Sequence, residues 1–226
     1  MLKNLINLIY PKICFGCKSL LLKNETTICS ECLLGLPETY HYKIKDNDVA
    51  KKFYGIVSIE FGISLLYFKS DGIVKQLIHN LKYKEQEEIG SFLGNYYSAD
   101  LKNLISDYKV SEIIPVPLHP KKLKKRGYNQ VTTFCQSLSN NLNVPLNEKL
   151  LVRNLYTETQ TLKDKEARQF QENLFEAKFS QQDIGKHFLL VDDVITTGAT
   201  LEKCANALLK IPNSKVSIVT IAFTQS

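Results

Sequence analysis

The sequence lacks any long run of apolar residues, and this absence limits the classes of protein that it can encode. A helix that spans a bilayer needs about 20 consecutive, mainly apolar residues, and the longest apolar runs of the 226-residue chain are far shorter. An internal repeat and a low-complexity tract are also lacking. With 44% hydrophobic and 23% charged residues, the composition is typical of a globular domain and argues against wholesale disorder. The length allows one such domain plus a small appendage, without disulfides.

The first ten residues are not followed by a small-residue cleavage site, although Lys3 gives them the charge of a secretory signal. Asn4 and Asn7 interrupt the apolar residues of this segment. We therefore predict a short amphipathic helix in a cytoplasmic protein, with no insertion into a membrane.

Positive charge exceeds negative charge, and the excess is concentrated in one short segment. The formal net charge is +6, and five cations lie within six residues: Lys121, Lys122, Lys124, Lys125 and Arg126. Such a cluster predicts an anionic partner, with phosphates or nucleic acid as the candidates. A solvated basic face is the alternative.

Four of the six cysteines form two C-x-x-C pairs, Cys14 with Cys17 and Cys29 with Cys32. Each pair places two thiolates on one tight turn, and two such turns complete a tetrahedral zinc site that has no open position. The spacing thus predicts a structural zinc ion; a pair of disulfides or a redox dithiol is the alternative. We place this zinc-binding module at residues 1–40, and a larger domain at residues 41–226, because Pro37 and a polar stretch at 43–52 mark a boundary.

The larger domain shows alternating strand and helix patterns. Helical spacing covers Ile73 to Tyr83, and apolar strands are indicated at residues 112–117, 188–191 and 216–223. A strand pattern also occurs within residues 54–68, and a helix is expected to start near Asn129 after the basic loop. This alternation predicts an α/β fold with a parallel sheet flanked by helices.

The strand at 188–191 leads into a segment with the chemistry of a ligand site. It ends in Asp192 and Asp193, and a loop rich in threonine and glycine at 196–200 then opens a helix. Free amides at the helix start, close backbone approach at Gly198 and the threonine hydroxyls are suited to a phosphate. The two carboxylates are suited to a sugar diol. Together they describe a ribose 5-phosphate site at the carboxyl edge of the sheet; simple helix capping is the alternative.

This strand, acidic pair and Thr-Thr-Gly-x-Thr loop resemble the defining element of the phosphoribosyltransferases. The run from Pro115 to Pro120, the run from Arg126 to Gln130 and the cysteine pairs resemble the ComF family, competence-associated proteins with a phosphoribosyltransferase-like domain. The resemblance implies a type I phosphoribosyltransferase fold that binds phosphoribosyl pyrophosphate with Mg²⁺. It also implies Asp192 and Asp193 as catalytic residues, and as ligand-binding residues Ile195, Thr196, Thr197, Gly198, Ala199, Thr200, Lys122, Lys125, Arg126, Tyr128 and Arg168.

In that family the loop after the strand at 112–117 holds the pyrophosphate, which gives the basic cluster a role in neutralising the leaving group. Residues 153–173, which contain Arg168, resemble the mobile loop that closes over the site; an exposed charged helix is the alternative. The implied reaction is displacement of pyrophosphate from C1 of the ribose by a nitrogen nucleophile. The family also implies a role in natural competence, in DNA uptake or processing.

Two alternatives to an enzyme are open. The chain could be a non-catalytic protein that binds single-stranded DNA through the zinc module and the basic loop, although Tyr128 is the loop's one aromatic residue. The zinc module could also dock to other competence proteins. A fold does not by itself settle which of these functions a chain performs.

Overall fold

The computed structural model describes residues 11–154 and 174–225. The α-helices in these ranges are α1 Ser30–Leu34, α2 Asp48–Lys51, α3 Ile73–Tyr83, α4 Glu88–Asp107, α5 Pro120–Arg126, α6 Thr132–Leu142 and α7 Ala199–Leu208. The strands are β1 Gly62–Phe68, β2 Glu112–Pro115, β3 Leu151–Arg153, β4 Phe175–Ala177, β5 His187–Ile195 and β6 Lys215–Thr224. Among the described helices, none combines the length and apolar character that a bilayer crossing requires.

Four strands form one parallel sheet in the order β1, β6, β5, β2. The central strand β5 places Leu190 beside Ile114 of β2 and beside Ile218 of β6. Ile218 in turn pairs with Gly62 of β1. The carboxyl ends of all four strands therefore lie at one edge, and the predicted α/β fold is confirmed.

Helices cover both faces of this sheet, because successive side chains of a strand point in opposite directions. Leu189 and Val191 of β5 belong to a buried cluster that includes α3, α4 and α6. Phe188 and Leu190 belong to a second buried cluster, which includes α7 and the strands β3 and β4. Burial on both faces explains the uninterrupted apolar run at residues 188–191 of β5.

The basic segment differs from its prediction. It was expected to be a loop that leads to a helix near Asn129, but residues 120–126 form the helix α5, and α6 begins only at Thr132. His119 caps α5 by accepting a hydrogen bond at Nδ1 from the backbone N–H of Lys121 (3.1 Å), and Pro120 stands in the first turn. Gly127 ends the helix with φ = 81°, a left-handed conformation that glycine adopts without steric cost.

Strands β3 and β4 form a separate antiparallel pair, in which Val152 lies opposite Glu176. This pair packs against α7 on one face of the main sheet. Arg153, the first residue of the predicted closing loop, is the last residue of β3. Residues 155–173 of that predicted loop, including Arg168, lie outside the described residues.

The cysteine-containing segment packs directly on the larger domain. Cys14 and Cys32 are buried in the same cluster as Leu77 and Leu81 of α3. Leu36, between the second cysteine pair and the sheet, belongs to that cluster as well. The boundary near residue 40 stays a prediction.

Candidate functional site

The acidic pair lies within β5, near its carboxyl end, and not in the loop that follows. Asp192 pairs with Thr220 of β6. The backbone N–H of Asp193 donates to Oδ1 of Asp192 at 2.8 Å, and the N–H of Val194 donates to Oδ1 of Asp193 at 2.7 Å. Since adjacent strand residues point to opposite faces, the two carboxyl groups approach the sheet edge from different sides.

A lysine that the sequence did not reveal is the ionic partner of this pair. Nζ of Lys82, in the last turn of α3, lies 2.8 Å from Oδ2 of Asp193. The Asp193 side chain is 7% exposed and the Lys82 side chain 22% exposed, so the pair is largely removed from water. A buried carboxylate with such a partner avoids most of the cost of an isolated charge.

Asp192 has a different electrostatic environment. Burial and the negative charge of the adjacent Asp193 raise the pKa of the Asp192 carboxyl, while Lys82 opposes this effect only in part. The two acids therefore have unequal surroundings: Asp193 contacts the Lys82 ammonium group, whereas the raised pKa of Asp192 means that it retains its proton more readily.

The loop after β5 presents its polar groups to solvent. Thr196, Thr197 and Thr200 are exposed. Gly198 caps α7 with φ = 86°, and a Cβ at this position would come within 3.3 Å of the Phe53 ring, so a glycine is required here for two reasons. The N–H of Ala199, the first amide of α7, donates to Oγ1 of Thr197 at 3.4 Å. An anion at this helix start would replace that long bond and would also accept from the exposed hydroxyls.

The two other predicted ligand-binding residues of this segment, Ile195 and Ala199, differ in their solvent exposure. Ala199 is exposed, whereas the Ile195 side chain is 1% exposed and belongs to the second core cluster. Only the backbone of Ile195 is therefore in a position to contact a ligand.

In the basic segment, Arg126 is held in place by neighbouring side chains. Nη1 of Arg126 donates to Oε1 of Gln130 at 2.6 Å, and its guanidinium lies over the ring of Tyr83, 5.1 Å from the centroid. Lys122 and Lys125 are exposed on α5. An ordered guanidinium suits the bidentate recognition of phosphate, and exposed ammonium groups supply point charge.

Two further residues fix this segment to the rest of the site. Tyr128 donates its hydroxyl hydrogen to the carbonyl oxygen of Leu81 in α3. Nδ2 of Asn129 donates to the carbonyl oxygen of Val116, just beyond the carboxyl end of β2, at 3.0 Å. Because β2 and β5 are parallel neighbours, the basic segment and the acidic pair follow the same edge of the sheet.

The four cysteines of the two C-x-x-C pairs converge as predicted. The Sγ atoms of Cys14, Cys17, Cys29 and Cys32 all lie within 4.8 Å of one another. The Sγ of Cys14 accepts backbone hydrogen bonds from Gly16 and Cys29, at 3.3 and 3.2 Å, and all six cysteines of the chain are free thiols. Four sulfur donors in one cluster can hold a metal ion.

Comparison with known proteins assigns the class. A family model described as phosphoribosyl transferase domain matches residues 132–226, from the start of α6 to the end of the chain. The molecule is thus an α/β protein that contains a phosphoribosyltransferase-like domain.

Curated relatives extend the similarity to the N-terminal part. Competence protein ComFC of Bacillus subtilis is 28% identical over 199 residues, which cover 88% of this chain and 78% of that protein. DNA utilization protein YhgH of Escherichia coli O157:H7 is 28% identical over 207 residues, covering 88% and 84%. Competence protein F of Haemophilus influenzae is 37% identical over 108 residues, 47% of each chain. Over most of its length, the chain is therefore similar to proteins named for competence and for DNA utilization.

Proposed function

We propose that this protein binds phosphoribosyl pyrophosphate with Mg²⁺ at the carboxyl edge of the sheet and transfers the phosphoribosyl group to a nitrogen acceptor. The observation that carries the proposal is the order of groups along β5 and α7. Two carboxyl groups near the end of the strand are followed, after two apolar residues, by a loop with exposed threonines and a glycine at a helix start. This order suits a sugar diol joined to a phosphate.

Each part of the ligand has a matching group in the chain. The 5-phosphate accepts hydrogen bonds from the first amides of α7 and from the hydroxyls of Thr196, Thr197 and Thr200. The ribose diol donates to oxygen atoms of Asp192 and Asp193, because a carboxyl group can accept hydrogen bonds in both its ionised and its neutral form. The largely buried position of Asp193 supports a strong interaction there.

The basic segment is assigned to the pyrophosphate. Arg126 provides the fixed cation, with Lys122 and Lys125 as exposed ones, and Tyr128 keeps the segment against α3. Arg168, outside the described residues, is proposed to join them. Mg²⁺ enters with the ligand as the counter-ion of the pyrophosphate, where it would stabilise the charge of the leaving group.

The reaction that follows is a substitution at C1 of the ribose. A nitrogen lone pair of the acceptor forms the new bond to C1, and pyrophosphate leaves with the electron pair of the C1–O bond. The nitrogen then loses a proton to solvent or to a neighbouring base. Carboxylates near the ribose stabilise positive charge that develops on the ring, and the basic segment stabilises the departing pyrophosphate.

We propose zinc as the metal of the four-cysteine cluster. Cys14, Cys17, Cys29 and Cys32 would bind it as thiolates in a tetrahedral site that leaves no position for a substrate. The ion would therefore supply structure and no chemistry. This assignment is supported by the all-sulfur donor set and by the 4.8 Å spread of the Sγ atoms.

A role in the uptake or processing of DNA is proposed from the relatives, whose names refer to competence and to DNA utilization. A second candidate function, non-catalytic binding of single-stranded DNA, is favoured by the exposed lysines of α5. Binding through phosphate contacts has a steep dependence on salt. This second function would be favoured by two results together: a DNA affinity that falls at least tenfold between 50 and 200 mM salt, and no binding of phosphoribosyl pyrophosphate.

Calorimetric titration of the Mg²⁺ complex of phosphoribosyl pyrophosphate tests the first proposal. We expect saturable binding to the zinc-loaded wild type and to Asp107→Asn, which removes an exposed carboxylate at the end of α4. Asp192→Asn with Asp193→Asn should weaken binding at least about 100-fold, since the hydrogen bonds of two acidic side chains are lost. A folded, zinc-loaded wild type that does not bind, or a double variant that binds normally, would refute the proposal.

A further inference from the structure

The helix α3 lies between the four-cysteine cluster and the ligand site, and it contacts both. We propose that α3 couples the two sites, with Asn80 as its anchor on the first cysteine pair and Lys82 as the residue that positions the acidic pair. The proposal rests on the function proposed above. It assigns to the metal centre a regulatory influence on ligand affinity in addition to its structural role.

The contact at the cysteine cluster is made by the side chain of Asn80. Its Nδ2 donates to the backbone carbonyl oxygen of Phe15 at 2.9 Å, and Phe15 lies between Cys14 and Cys17. The packing around this turn leaves no free space. A Cβ on Gly16 would stand 2.9 Å from Ile73 of α3 and 2.9 Å from Sγ of Cys32. A displacement of the first cysteine pair therefore acts directly on α3.

The contacts at the ligand site are made by the next three residues of the same helix. The carbonyl oxygen of Leu81 accepts from the Tyr128 hydroxyl. Nζ of Lys82 lies 2.8 Å from the Asp193 carboxylate, and the Tyr83 ring lies under the Arg126 guanidinium. One turn of α3 thus touches the acidic pair and the basic segment together.

The distance over which the coupling must act is short. Residues 80 to 83 rise by only about 4.5 Å along the helix axis, at about 1.5 Å per residue. Since a hydrogen-bonded helical turn moves as a unit, a shift that breaks the Asn80 bond also changes the position of Lys82. The coupling therefore does not depend on a long series of intermediate residues between the two sites.

Metal binding supplies the displacement. A metal ion would hold together the four sulfur atoms, which lie within 4.8 Å of one another, and without the ion no covalent or coordinate bond joins the two cysteine pairs. We expect the first cysteine pair to move away from the second on metal loss. The carbonyl oxygen of Phe15 would move with it, and its hydrogen bond from Asn80 would break. Lys82 would then leave Asp193, and the acidic pair would lose the cation that balances its charge.

Thermodynamic linkage gives this proposal a measurable form. If bound zinc raises the affinity for phosphoribosyl pyrophosphate by some factor, the ligand must raise zinc affinity by the same factor. We would measure the zinc dissociation constant of the full chain by chelator competition, with and without a saturating Mg²⁺ complex of the ligand. The expected increase in zinc affinity is at least about fivefold, the lower end of typical couplings.

Variants at both ends of the contact sharpen the test. Asn80→Leu removes the hydrogen bond to Phe15 at similar volume, and Gln76→Leu, one turn earlier on α3, is its matched control. Lys82→Met removes the ion pair, and Lys75→Met makes the same charge change at an exposed site of the same helix. We expect the coupling factor to fall towards one in Asn80→Leu and in Lys82→Met, and to keep its wild-type value in both controls.

The possible outcomes separate the two proposals. A wild type that binds phosphoribosyl pyrophosphate but has the same zinc affinity with and without it would overturn the coupling and leave the proposed function intact. Wild-type coupling in Asn80→Leu or in Lys82→Met would overturn it as well. If Asn80→Leu does not fold, the Lys82 pair of variants decides alone. Failure of the zinc-loaded wild type to bind the ligand would overturn both proposals.

Discussion

At the scale of single residues, the two acids of β5 differ in their surroundings more than in their chemistry. Asp193 is paired with Lys82, while the environment of Asp192 favours its neutral form. An unequal pair of acids is a common arrangement in sites where one group must stay charged and another can exchange a proton. The inequality arises because Lys82 contacts Asp193 directly, whereas burial and the adjacent Asp193 raise the pKa of Asp192.

This inequality predicts how stability depends on pH. Burial and Asp193 raise the pKa of Asp192, so the folded chain keeps a proton there that the unfolded chain has already released. The stabilisation is complete below the unfolded pKa, near 4, and is lost as the pH rises through the folded pKa. Asp192→Asn cannot ionise and escapes this loss. We expect its Tm to exceed that of the wild type by about 2 °C or more at pH 8.

The same measurement has an internal check. The Tm difference should shrink to near zero around pH 4, where both proteins carry an uncharged group at this position. Asp107→Asn, at an exposed site, should show no such trend. A Tm difference for Asp192→Asn that is constant with pH would contradict the assigned environment.

At the scale of secondary-structure elements, the basic helix α5 is expected to act through its last residue. Arg126 is half-buried and bonded to Gln130 at 2.6 Å, whereas Lys124 is exposed on the same helix. We expect Arg126→Met to weaken binding of pyrophosphate about 10- to 100-fold, because hydrogen bonds between charged groups are lost. Lys124→Met should change it by about twofold or less, and equal effects of the two changes would argue for a diffuse electrostatic surface instead. Calorimetry with inorganic pyrophosphate measures both.

The sequence predicts some of these elements much better than others. The bounds of α3 at Ile73 and Tyr83 are confirmed, because regular apolar spacing marks a helix with one buried face. Helix α5 was missed since it buries none of its side chains and so has no apolar stripe; Pro120 and Gly127 were its only local signals. Strands β3 and β4, with three residues each, are too short to show an alternating pattern.

The candidate site was predictable only where its residues are consecutive. The acidic pair, the loop at 196–200 and the cysteine pairs are local patterns, and each predicts its own chemistry. Lys82 and Asp193 are far apart in the sequence and meet only because α3 packs against the face of the sheet to which Asp193 points. A pattern read along the chain has no means of detecting such a pair.

At the scale of the whole molecule, the cysteine segment and the sheet share one buried cluster. Cys14 and Cys32 pack with Leu77 and Leu81, so the N-terminal segment contributes to the core of the larger domain. Metal loss should therefore destabilise the entire chain. We expect chelation to lower the Tm of a single cooperative unfolding transition, followed by circular dichroism and by intrinsic tyrosine fluorescence.

The control is the same experiment on chain reloaded with zinc, which should recover the original Tm. Two separate transitions, of which only one responds to chelation, would show that the N-terminal segment unfolds by itself. That result would contradict the role given to the shared cluster and would weaken the case for coupling through α3.

The account depends most on the claim that the acidic pair, the loop at 196–200 and the basic segment form one site for one ligand. Separate calorimetric titrations of ribose 5-phosphate, pyrophosphate and phosphoribosyl pyrophosphate into zinc-loaded protein with Mg²⁺ test this claim directly. We predict that Asp192→Asn with Asp193→Asn loses ribose 5-phosphate binding but keeps pyrophosphate binding. Arg126→Met should lose pyrophosphate binding but keep ribose 5-phosphate binding. Both variants should bind phosphoribosyl pyrophosphate more weakly than the wild type does. The claim of one shared site would be contradicted if pyrophosphate and ribose 5-phosphate failed to bind the wild type. It would also be contradicted if their binding did not depend on any of these residues.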